Sequence, residues 1–124
     1  MLKSALLVTA GILVGVGASA VLAETNAPYY EIGEINVKDV DAYKKEMAVS
    51  SGLIKNNGGV YVAGGFDKAT TRIGAPVANR VVVIRYPSKA AADKVYDDGL
   101  RAWIEKNAAV ADFRIITVEG VEAK

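Results

Sequence analysis

The first stretch of the chain has a pattern unlike the rest. No charged residue occurs from Ser4 to Ala23, and Ala5-Leu6-Leu7-Val8 and Ile12-Leu13-Val14 form an apolar segment behind Lys3. One positive charge, an apolar stretch and the small or tolerated residues Val21-Leu22-Ala23 before Glu24 make the pattern of a secretory signal peptide, with cleavage expected after Ala23. The alternative is a retained N-terminal membrane anchor, because twenty helical residues would span about 30 Å of hydrocarbon. The Gly- and Ala-rich run ends in a usable cleavage site, which favours removal. Residues 24–124 are then one domain in the periplasm or outside the cell, with no stable membrane association.

Beyond the leader, the polar and apolar positions alternate between two periods. Tyr29 to Val37 carries Ile32, Ile35 and Val37 among Glu31 and Glu34, and reads as a first strand. Asp39 is a candidate N-cap for a helix in which Val40, Tyr43, Met47 and Ile54 recur at helical spacing, ending at Asn56-Asn57-Gly58-Gly59. Val60 to Ala63 reads as a short second strand that Gly64-Gly65 ends or bends. Phe66 to Asn79 has no period and contains Gly74 and Pro76, so it reads as a long loop.

Arg80 to Tyr86 is the strongest strand, because Val81-Val82-Val83-Ile84 is apolar on both faces. Pro87-Ser88 stops it, and Ser88 caps a helix through Ala91, Ala92, Val95 and Tyr96. Asp97-Asp98-Gly99 interrupts that helix, and a second segment carries Leu100, Trp103, Ile104 and Ala108. Phe113 to Val118 forms the last strand.

The resulting order is β-α-β-β-α-β. It predicts an α+β, ferredoxin-like domain: a four-stranded antiparallel sheet with its helices on one face. The third strand is apolar on both sides, and no segment remains to form a third layer. A second copy of the domain would cover the other face, so a homodimer packed through the sheet face is expected.

Composition narrows the chemistry. The 124 residues include neither Cys nor His, and 15 basic residues face 14 acidic ones. Disulfides, thiolate nucleophiles, imidazole bases and Cys- or His-ligated metals are therefore excluded. Lys3 is the one charge in the leader, so the mature chain has a formal charge of zero. Such a chain lacks the basic footprint of a nucleic-acid binder. The βαββαβ order is shared with RNA-recognition modules, but Val and Ile stand on the third strand where those present stacking aromatics. No cofactor is expected.

The remaining candidates are carboxylate, arginine, tyrosine and amide groups. Glu31 and Glu34 fall on opposite faces of the first strand. One of them could be a general base with a raised pKa in an apolar pocket; the structural alternative is an ion pair with Arg85 or Arg114. Arg80 and Arg85 could orient a carboxylate or phenolate ligand, or simply pair at strand ends. Tyr30, Tyr43, Tyr96 and Trp103 could line an aromatic pocket, but the spacing of Tyr43, Tyr96 and Trp103 better suits plain core residues. Asn36 is either a pocket group or a turn former. The candidate ligand-binding set is thus Glu34, Asn36, Arg80, Arg85, Tyr30, Tyr96 and Trp103.

Several segments, taken in order, resemble a bacterial family called domain of unknown function 1330. They are Tyr30-Glu31-Ile32-Gly33-Glu34-Ile35-Asn36-Val37-Lys38-Asp39 with Tyr43, then Gly58-Gly59-Val60-Tyr61-Val62-Ala63-Gly64-Gly65. Gly74-Ala75-Pro76, Arg80-Val81-Val82-Val83-Ile84-Arg85-Tyr86-Pro87-Ser88 with Ala91, Ala92 and Tyr96, and Ile115-Ile116-Thr117-Val118-Glu119-Gly120 complete the match. Val95 stands where that family commonly has Trp, and Asp97-Asp98-Gly99-Leu100 replaces its usual Ser-Pro-x-Tyr turn. The resemblance implies the dimeric α+β barrel fold, whose wider superfamily includes cofactor-free monooxygenases, haem-degrading enzymes and small-molecule isomerases. The functional expectation is an exported dimeric domain that binds a small molecule in a cleft between sheet and helices. An enzymatic version would use cofactor-free acid/base or oxygenation chemistry. The alternative is a non-catalytic structural or stress-related envelope protein.

Overall fold

The computed structural model describes residues 27–121; the leader lies outside them. Within this range the elements are β1 (Tyr29–Val37), α1 (Val40–Asn56), β2 (Val60–Phe66), β3 (Arg80–Tyr86), α2 (Lys89–Val95), a π-helical turn (Tyr96–Leu100), α3 (Arg101–Lys106) and β4 (Ala111–Glu119). The strands form one antiparallel sheet in the order β2-β3-β1-β4. This is the expected ferredoxin-like α+β arrangement.

The two central strands set the layers. Ile32 of β1 stands opposite Val83 of β3 and Ile116 of β4. Side chains alternate along a strand, so Glu31, Ile35 and Val37 join the buried face while Tyr30, Ile32 and Glu34 lie on the other. On β3 the inward set is Arg80, Val82, Ile84 and Tyr86. The helices supply Tyr43, Ile54, Val95, Leu100 and Trp103 to the same core. Four aromatic rings knit its centre: Tyr43 and Phe113 each meet Trp103 edge-on, at 5.8 and 5.7 Å between centroids, and Tyr43 meets Phe66 at 6.0 Å. The Trp103 indole N–H donates to the Glu46 carbonyl at 3.1 Å, which fixes α3 against α1.

Both caps form as expected. The Asp39 carboxylate accepts from the Ala42 N–H, and the Ser88 hydroxyl accepts from the Ala91 N–H, each at 3.1 Å.

Three boundaries differ from the sequence expectation. Gly64-Gly65 does not end β2, which continues to Phe66 through a bulge between Tyr61 and Ala63. Gly64 has φ 101°, and a Cβ there would lie 1.9 Å from the Val81 carbonyl oxygen, so glycine lets the bulged strand approach β3. Asp97-Asp98-Gly99 does not break the helix. It widens the helix into a π turn, in which the Arg101 N–H bonds the Tyr96 carbonyl five residues back. Val95 and Leu100 are both buried although five residues apart. The wider turn brings them to one face, which regular α-helical spacing would not do. Finally, β4 begins at Ala111 and ends at Glu119, longer at both ends than the apolar run alone suggested.

Between β2 and β3, the loop closes on itself at its base. The Asp67 N–H donates to the Asn79 carbonyl at 2.8 Å. The Asn79 side chain bonds both backbone groups of Val37, accepting from its N–H at 2.8 Å and donating to its carbonyl at 2.9 Å. This amide adds a rung beyond the last β1–β3 pair, Ile35 with Arg80.

Candidate functional site

Glu31 follows from the strand alternation. It shares its side of β1 with Ile35 and Val37, so its carboxyl enters the layer between sheet and helices, where the residue is 3% exposed. No side-chain hydrogen bond or ion pair reaches it among the described residues. Burial therefore acts unopposed and pushes its pKa up from 4.5 to about 7. A carboxyl in that range changes protonation near neutral pH and can give or take a proton.

Glu31 lies at the edge of two spaces. One is a narrow internal cleft of about 30 Å³ that runs among the core residues to Arg80. That volume suits one or two waters rather than a ligand. The other is an open groove of about 350 Å³ between the inner face of β4 and the helix above it. Ile115, Phe113 and Ile104 form its apolar wall, and Thr117, Tyr96, Asp93 and Asp97 its polar one. The π turn places Tyr96 and Asp97 there, and π turns are frequent at functional sites. Asp93 is bridged by Lys89 at 2.7 Å. No basic side chain lines the groove itself. Among the described residues, no cluster of three acidic side chains is gathered closely enough to hold a metal ion.

Near Glu31, the Tyr86 hydroxyl is buried without a hydrogen-bond partner. Burial, then the charge on Glu31, then Tyr61 push its phenol well above the usual range.

The residues singled out from the sequence are dispersed. Tyr96 stands at the groove mouth. Trp103 is core, 6% exposed and bonded to the Glu46 carbonyl. Arg80 is buried at the far end of the core cleft, over the rings of Phe66 at 5.1 Å and Tyr43 at 5.8 Å. Glu34 points to the other sheet face and accepts from Arg114 at 3.2 Å, the ion-pair alternative named above. Asn36 is exposed and shares a shallow hollow with Glu34, Pro76 and Asp112. Tyr30 and Arg85 pair across β1 and β3, on the face away from the helices. Of the seven, the groove therefore receives Tyr96 alone.

Glu31, Thr117 and Asp97, which complete the groove, were absent from that set. A signal for Glu31 existed: Tyr29, Gly33, Ile35 and Val37 share its parity and are jointly more apolar than Tyr30, Ile32, Glu34 and Asn36.

Comparison with known proteins agrees with this architecture. No curated protein is similar in sequence. The crystal structure of RPA0582, a protein of unknown function from Rhodopseudomonas palustris, superposes with a TM-score of 0.63 at 19% identity, covering 90% of this chain and 95% of that one. The methylated form of RPA0582 gives the same TM-score and identity, with coverage of 88% and 92%. These likenesses establish the fold alone. The family described as Domain of unknown function (DUF1330) matches residues 28–121. That match spans most of the sequence, and the chain belongs to this family.

Proposed function

We propose that this protein binds a small molecule in the groove between β4 and the π turn, with Glu31 as the polar group that recognises it, and that it works as an exported homodimer. The observation that carries the reading is Glu31 itself. A buried carboxyl without a partner is costly to keep, and such groups concentrate where a ligand or reaction uses them. The groove is of the size of small-molecule sites, which start at about 300 Å³. Its walls suit a molecule with an apolar body and a neutral or cationic hydrogen-bonding end, because carboxyl groups line it and no cation does. Chemistry there would run through Glu31 as proton donor or acceptor beside Tyr96 and needs no cofactor.

Native mass spectrometry of protein purified from its own host tests this. The expected result is one reproducible bound mass that disappears in Glu31→Gln while the far-UV circular dichroism is unchanged. A protein that carries nothing, or a Glu31→Gln variant that retains the bound mass, overturns it.

The homodimer rests on the outer sheet face. Tyr30, Ile32, Val81, Val83, Ile116 and Val118 form an apolar stripe there, framed by Glu34, Arg85 and Arg114. No described element covers it, and a second copy laid sheet to sheet would. Export rests on the leader pattern. Among the described residues no helix is long and apolar enough to cross a membrane. The intact mass of the isolated protein decides between a cleaved leader and a retained anchor.

A further inference from the structure

At the other end of the core, Arg80 presents the opposite problem from Glu31. A guanidinium stays charged at any ordinary pH, yet Arg80 is only 8% exposed. No carboxylate lies within ion-pairing distance among the described residues, and its Nε has no hydrogen-bond partner. The rings of Tyr43 and Phe66 hold it by cation–π contact, and the Tyr43 hydroxyl lies within its reach, but a neutral phenol does not balance the charge and Nε stays without a partner. Buried charges are ordinarily paired, and this one is not.

The missing partner has a place to bind. Arg80 lines a hollow of about 460 Å³ between the C-terminal half of α1 and the edge strand β2. Ser51 and Tyr61 bring hydroxyls, Lys55 brings a second cation, and Val62 and Val82 supply apolar wall. No acidic residue lines it. Its electrostatic character is thus opposite to that of the Glu31 groove, and the narrow core cleft between the two leaves no room for one ligand to span them.

We infer that this hollow is a second, separate binding site, for a small organic monocarboxylate whose carboxylate pairs with Arg80. Arg80 is the buried charge that lacks a partner, and a planar carboxylate matches its fork of donors; Lys55, exposed at the rim, adds solvent-screened attraction. The apolar walls receive the rest of the molecule. Inorganic phosphate carries more charge and no apolar body, and fits the site less well.

Nitrogen–proton NMR titration of the intact folded protein tests this, with benzoate as probe, benzamide as its neutral isostere and inorganic phosphate as the competing anion. Benzoate is expected to bind about tenfold or more tightly than benzamide, the worth of a charge-assisted hydrogen bond. The shifts should centre on the Arg80 Nε–H and the amides of Ser51 and Gly64, leaving those of Thr117 and Asp97 in place. Lys55→Ala, an exposed change that leaves the core intact, should weaken benzoate severalfold. Absence of saturable benzoate binding, equal binding of benzoate and benzamide, tighter binding of phosphate, or shifts confined to the Glu31 groove would each overturn the assignment. The Glu31 site is judged by its own experiment and stands or falls independently.

Discussion

The Asn79 side chain grips Val37 by both its backbone N–H and its carbonyl, across 42 positions of sequence. One amide thus does for the end of β1 what a further residue of β3 would do, and it anchors the long loop at the same time. Asn79→Ala should therefore cost about 1–3 kcal/mol, because two partly buried backbone groups lose their partners together. Asn79→Asp keeps the acceptor for the Val37 N–H and loses the donor, so it should fall between. Urea unfolding with an unchanged m-value would show this.

Glu31 makes stability depend on pH in a definite direction. Below about pH 4.5 it is protonated in both folded and unfolded chains. Above that, the unfolded chain ionises while the folded one resists until about pH 7, so stability falls across this window and the deficit persists above it. Glu31→Gln removes the effect. Relative to the wild type, it should gain about 3 kcal/mol between pH 4 and pH 8, the equivalent of the shift from 4.5 to about 7. A stability difference that is flat with pH would show that Glu31 titrates normally.

Two glycines should respond differently to the same substitution. At Gly64 the added methyl meets the Val81 backbone, and φ is 101°. Gly64→Ala should cost about 2 kcal/mol or more and shift β2. At Gly99 the nearest atoms, at 2.9 and 3.1 Å, are the terminal methyls of Leu53, which can turn aside. The gain in helix propensity offsets that adjustment, so Gly99→Ala should change stability by less than about 1 kcal/mol. Thermal melts of the two variants side by side settle the comparison.

The Tyr86 hydroxyl is buried with nothing to bond. Tyr86→Phe should accordingly be neutral or stabilising by up to about 1 kcal/mol, the reverse of most core substitutions. A loss of several kcal/mol would reveal a water or ligand that the hydroxyl serves.

On the sheet face, Ile116 sits at the edge strand and is 38% exposed in a single chain. Ile116→Glu should leave the circular dichroism of the fold intact and shift sedimentation from dimer to monomer. A wild-type protein that sediments as a monomer at micromolar concentration removes the dimer proposal outright.

Local chemistry made much of this legible from sequence. Asp39 and Ser88 announce their helices because capping involves residues only three apart. Alternation on β3 also puts Arg80 with Val82 and Ile84 and Arg85 with Val81 and Val83, so one site cannot take both arginines, although both stood in the candidate set. What sequence withheld depends on distant partners. Alternation separates Glu31 from Glu34, and only the modest apolar excess on the Glu31 side hints at which face meets the helices; Glu34 lies on the other one, paired with Arg114. Gly64-Gly65 reads as an end or a bend of the strand until β3 is alongside to show that β2 runs on through it. The π turn reads as a break because its acids and glycine suit a loop, whereas the need to bury Leu100 beside Val95 is tertiary.

The closed base of the loop after β2 has a consequence for change over time. Asp67 and Asn79 tie its two ends, while Ile73 at its tip is 95% exposed. At that tip extra residues are thermodynamically cheap, since doubling the length of a flexible loop costs only about 0.6 kcal/mol. This segment is a port through which sequence can be inserted, by evolution or by an engineer placing a tag or a reporter, without the sheet registering the change.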